Sequence, residues 1–67
     1  MQNQEQLIAL TEADAARRLG VSAAALRAWR QRGTGPRFCR FGRSVRYLDR
    51  DIEAFVRESA VRRSVGE

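Results

Sequence analysis

Residues 11–33, TEADAARRLGVSAAALRAWRQRG, contain two short helical patterns joined at Gly20, the second studded with arginine. The Thr11 hydroxyl can accept a bond from a first-turn amide, and Glu12 and Asp14 suit the positive end of a helix dipole. Ala15, Ala16 and Leu19 recur on one face, and Gly20 supplies the left-handed residue that lets the chain leave the helix. Ser22 caps a second helix with Ala25, Leu26 and Trp29 on its inward stripe. Ala23, Ala24, Arg27, Ala28 and Gln31 lie on or near the other face. Gly33 stops it.

Two short helices crossed by a tight turn form a helix-turn-helix, whose second helix can enter the DNA major groove. The small side chains of Ala23 and Ala24 permit close approach, with Ala28 on the same face. Arg27 and Gln31, one turn apart, can reach base edges, so these five residues are the expected base-reading set. Ser22 combines its capping role with a possible phosphate contact, because helix amides point outward there. Arg17, Arg18 and Arg30 flank the helix as phosphate contacts. Trp29 could stack on a base as in single-strand binders, but its spacing with Leu26 makes it a core anchor.

After Gly33, Gly35 and Pro36 turn the chain and force it extended. Residues 38–41 and 45–47 then form two short strands. A two-residue turn at Gly42 and Arg43 would set Phe41 against Ser44 and Cys39 against Arg46, mixing apolar with polar on each face. A three-residue connection, Gly42 to Ser44, pairs Phe41 with Val45 and Cys39 with Tyr47 and gives one apolar face; this register is expected. It sets Arg40 opposite Arg46 on the outward face with Arg43 at the tip. Like charges directly opposed on a sheet are destabilising, so an anion is expected to relieve them, and all three are assigned to phosphate.

Asp49 is placed as the cap of a third helix, with Ile52, Phe55 and Val56 inward. Together with Leu19, Leu26, Trp29, Phe41, Val45 and Tyr47 these make one small core, with the Tyr47 hydroxyl at its rim. Residues 1–6 read as a flexible leader, 7–59 as the domain, and 60–67 as a tail with weak apolar spacing at Ala60, Val61 and Val65. Leu10 packs back on Ala15 as a hydrophobic staple. The fold class is mainly α with a small β-hairpin.

At 67 residues the chain forms one domain of marginal stability. The net charge of +5 conceals a segregation: residues 17–46 hold nine arginines and no acid, whereas residues 1–16 hold three acids and no arginine. Concentrated positive field on the second helix and hairpin is the footprint of a nucleic-acid binder. All 13 basic residues are arginine, which suits bidentate contacts to phosphate or guanine; GC-rich coding explains the same bias, so the segregation of sign weighs more.

With one cysteine and no histidine the chain offers neither a disulfide nor a paired metal-ligand site, and no cofactor is expected. Cys39, on the inward face, behaves as a small inert hydrophobe. Lysine is absent too, so serine–lysine catalysis is excluded, and the acids sit at helix starts; no enzyme is expected. The opening MQNQEQLIAL is no signal peptide, and nothing approaches the ~20 apolar residues of a membrane span. A cytoplasmic, nucleoid-associated protein is expected.

The motifs LTEADAARRLGVS, RGTGPRF, RFGRSVRY and DRDIEAFV, spread in order over residues 10–56, resemble the winged helix-turn-helix domains related to the MerR superfamily, in the excisionase and AlpA-like regulator group. The resemblance implies binding of double-stranded DNA through the second helix and a two-stranded wing, followed by a closing helix. MerR-type regulators append a long dimerisation helix and effector domain, for which this chain is too short. The expectation is therefore an excisionase, or recombination directionality factor, that bends DNA and steers a partner integrase toward excision of a mobile element. A small AlpA-type transcriptional regulator is the alternative, and a basic adaptor for an acidic protein the third. One helix and one wing form a small module. Monomers in solution that fill DNA repeats cooperatively, head to tail, are accordingly expected, with residues 57–67 as the contact surface.

Overall fold

The computed structural model describes residues 8–61. Six elements follow in order: β1 (Ala9–Leu10), α1 (Glu12–Leu19), α2 (Ala23–Arg32), β2 (Cys39–Phe41), β3 (Ser44–Leu48) and α3 (Asp49–Ser59). The leader at 1–6, with Leu7, and the tail from Arg62 onward lie outside the described residues. Three helices and a small three-stranded antiparallel sheet make a winged helix-turn-helix.

Local hydrogen bonds define the helix-turn-helix. The Thr11 hydroxyl accepts from the Asp14 amide at 3.1 Å, and the Ser22 hydroxyl from the Ala25 amide at 3.0 Å. Both helices end in glycine at positive φ, with the following amide reaching back five residues, Val21 to the Ala16 carbonyl at 3.0 Å and Thr34 to the Trp29 carbonyl at 2.8 Å. These paired closures satisfy carbonyls the helix leaves orphaned.

The buried core is Ala15, Ala16, Leu26, Tyr47 and Ile52, with Leu10, Leu19, Val21, Ala23, Trp29 and Val45 packed against it. The alanine pair on α1 lets α2 and β3 approach closely. Trp29 is half-buried and meets Phe55 of α3 with ring centroids 5.8 Å apart. Gly35 closes that corner: its φ is +84° and a Cβ there would lie 3.0 Å from the Trp29 Cβ, so a larger residue would be strained and would push on Trp29.

The hairpin register is the one the apolar-face argument disfavoured. Cys39 pairs with Arg46, Arg40 with Val45 and Phe41 with Ser44, around a two-residue turn at Gly42 and Arg43. Gly42 has φ 62° and no other residue of the turn has positive φ, the pattern of a type II′ turn, whose twist matches that of the flanking strands. Phe41 leaves the core and is 58% exposed. Cys39 lies opposite Arg46 rather than Tyr47, and Arg40 and Arg46 fall on opposite faces instead of confronting each other. The expected like-charge repulsion is therefore not built into the sheet.

Two further differences concern β1 and α3. β1 pairs with β3 (Ala9 with Leu48, Leu10 with Tyr47), making the sheet three-stranded in the order β1-β3-β2; two residues are too few to show alternation. The cap position of α3 is Leu48, with no side-chain bond, and Asp49 is the first helical residue. The Asp49 amide donates instead to the Ile8 carbonyl at 3.0 Å, so strand pairing satisfies the amide. Val56 is 52% exposed and not part of the core.

Candidate nucleic-acid interface

α2 carries the proposed reading face. Ser22, Ala24, Arg27 and Gln31 are exposed, and Ala23 and Ala28 are half-buried. Ala23 turns toward the core, so the small residues nearest solvent are Ala24 and Ala28. Arg27 and Gln31 share one side, four residues apart on a 10-residue helix.

Acids from the flanking helices reach into this arginine set. Arg17 pairs with Asp14 at 3.2 Å, and Arg18 pairs with Asp49 across α1 and α3. Glu12 takes two: Arg27 through Nε at 3.4 Å, and Arg30 through Nη2 at 3.0 Å. The Arg30 side chain is only 16% exposed; it belongs to the interior rather than to the phosphate-contact set expected from sequence. Its bond to Glu12 holds the guanidinium still more firmly protonated than usual.

At the root of the wing, Phe38 has the guanidinium carbons of both Arg30 and Arg40 near its ring, 5.8 Å and 5.9 Å from the centroid. This ring ties β2 to α2 by cation–π contact. Arg40 and Arg43 are exposed, and among the described residues neither meets a carboxylate. Arg46 is half-buried and donates to the Val45 carbonyl at 2.8 Å, which leaves it less free than Arg43. Arg32 and Arg37, exposed on either side of the 33–36 hinge, also lack a carboxylate partner among the described residues. The sequence assigns neither a contact although both lie in the acid-free stretch 17–46, because the periodicities that sort inward from outward residues do not run through the hinge.

Tyr47 lies fully buried behind this network. Its hydroxyl makes no hydrogen bond of normal geometry. Burial raises its pKa above the ordinary 10.0, with the nearby Arg30 charge opposing the shift. Among the described residues no group of histidine, cysteine or carboxylates could hold a metal, and no helix is long and apolar enough to cross a membrane.

A capped helix pair presenting arginine and glutamine on its second helix, beside an arginine-tipped hairpin, defines a small DNA-binding helix-turn-helix domain. The family model described as "Helix-turn-helix domain" matches residues 9–60, and the chain belongs to that family. No curated protein and no solved structure gives a significant match.

Proposed function

We propose that the protein is a sequence-specific, non-catalytic binder of double-stranded DNA that acts as an excisionase in the cytoplasm, at the nucleoid, with an integrase as partner. The observation that carries the DNA-reading part is the solvent face of α2, where Arg27 and Gln31 stand one turn apart beside the exposed Ala24. Ala28 completes the reading set with these residues; Ala23, packed against the core, keeps the helix N-terminus slim beside it. Ser22, Arg17, Arg18, Arg40, Arg43 and Arg46 are the phosphate contacts, joined by Arg32 and Arg37. The excisionase assignment is supported by the order and spacing of the four motifs over residues 10–56, which an AlpA-type regulator shares. In a recombination assay with the cognate integrase, added protein should raise excision over integration; a promoter reporter that responds while excision does not would select the regulator.

The division between helix and wing is tested by salt dependence. Arg27→Ala should cost about 1–3 kcal/mol on the specific site and flatten discrimination. Arg43→Ala should weaken all duplexes alike and lower the salt slope by roughly one unit. A larger change of sequence preference from Arg43→Ala than from Arg27→Ala would refute the assignment. A basic adaptor should show little binding to random duplex at moderate ionic strength.

We also propose that monomers fill neighbouring repeats head to tail. Supporting this are Val56, 52% exposed in the last turn of α3, and Val61, 83% exposed just beyond it. Titration onto duplexes with one, two and three repeats should be cooperative, and Val56→Ser with Val61→Ser should abolish the cooperativity. A stable dimer in free solution would overturn it.

A further inference from the structure

We propose that Glu12 of α1 is a positioning residue that aims Arg27 at a guanine in the major groove. The inference rests on the base-reading role assigned to Arg27 above, and it adds the base class and the residue that sets it.

The two oxygens of Glu12 are used differently. Oε2 accepts from Arg30 Nε at 3.3 Å and Nη2 at 3.0 Å, which fastens the carboxylate to an arginine that is itself largely buried against Phe38. Oε1 accepts from Arg27 through Nε alone, at 3.4 Å. The Glu12 side chain is 17% exposed, that of Arg27 56%, so the carboxylate is enclosed while the guanidinium reaches solvent. A guanidinium held at Nε keeps its two terminal nitrogens, and among the described residues neither donates a hydrogen bond to a carboxylate. Two coplanar N–H groups on a forked end match O6 and N7 of guanine and no other base edge as well.

Two physical effects follow. Arginine has many rotamers, and ordering it before DNA arrives removes that cost from the binding step. The enclosed negative charge beside Nε also disfavours a phosphate at the same guanidinium, whereas the carboxylates paired with Arg17 and Arg18 are more exposed and solvent-screened, so those two arginines can exchange them for phosphate. Arg27 is thereby turned from a backbone contact into a base contact. Arg43, which has no such partner, keeps the phosphate role.

The test uses duplexes selected from a random pool by the intact protein, with each guanine replaced in turn by 7-deazaguanine, which lacks the N7 acceptor. The wild type should lose roughly tenfold in affinity at one guanine. Arg27→Ala should erase that penalty. Glu12→Gln, which keeps the shape and removes the charge, should erase most of it when Arg27 is present and change nothing further in the Arg27→Ala background. A guanine penalty that survives Glu12→Gln but not Arg27→Ala overturns the positioning role alone. A penalty that survives Arg27→Ala, or is absent from the wild type, overturns the base-reading role of Arg27 as well. Because Glu12→Gln also frees Arg30, a measurement on the unmodified protein stands beside it: in free wild-type protein the Arg27 Nε–H should exchange with solvent more slowly than that of Arg43. Equal exchange rates would overturn the proposal even if the variant does not fold.

Discussion

The helix-turn-helix and the wing are both short and both rich in arginine, yet they yield to sequence reasoning very differently. Both caps and both glycine closures of α1 and α2 are local: each donor and acceptor lies within five residues of its partner. The hairpin has no such constraint beyond its turn. Choosing its register by collecting apolar residues on one face assumes that a phenylalanine must be buried, and on a two-stranded projection it need not be. At Gly42 the turn geometry prevailed over the apolar pattern, and Phe41 was left in solvent. Where local hydrogen bonding and face pattern disagree in a small hairpin, the turn residue is the better guide.

Five substitutions would break or sharpen that contrast. Leu26→Ala removes a fully buried side chain on which α1, α2 and the sheet converge. A cost of about 2–5 kcal/mol is expected, enough to unfold much of so small a domain at 25 °C, and a melt that stays cooperative near the wild-type temperature would contradict this core. Ser22→Ala should cost about 1 kcal/mol through its lost cap. Asp49→Ala removes no cap bond and only a partly exposed ion pair with Arg18, so it should cost less than Ser22→Ala in the same denaturant titration; the reverse order would restore Asp49 as a cap.

Tyr47 connects the core to pH. Its folded pKa is raised, so the native state holds the phenolic proton more tightly than the unfolded chain. Stability from this group is present below about pH 10, where the unfolded tyrosine ionises, and is lost as pH rises through the folded value. Tyr47→Phe should flatten that alkaline decline. At pH 7 it should be neutral or slightly stabilising, because a buried hydroxyl without a partner is removed. A clear loss at pH 7 would mean that the hydroxyl is bonded. A similarly small effect is expected from Phe41→Ser: at an exposed position stability should move by no more than about 0.5 kcal/mol. The alternative register, with Phe41 in the core, demands a loss of several kcal/mol of the kind seen for buried phenylalanine, so one thermal melt separates the two.

What the residues determined unaided is whatever depends on neighbours in the chain. Thr11, Ser22, Gly20 and Gly33 set where α1 and α2 begin and end, and helical periodicity placed Leu26 and Ile52 inside and Arg27 and Gln31 outside. The acid-free stretch 17–46 put the positive charge on α2, the hinge and the hairpin. Tertiary structure decided what depends on residues far apart. It added β1, whose two residues acquire meaning only beside β3. It gave Asp49 a partner in Arg18, 31 residues away, and took Arg30 out of the DNA-facing set by bringing Glu12 to it from 18 residues away. A side chain's charge is written in the sequence. Whether that charge faces phosphate or a carboxylate depends on which groups the fold carries to within about 4 Å of it, because Coulomb energy at such distances outweighs the bias of overall composition.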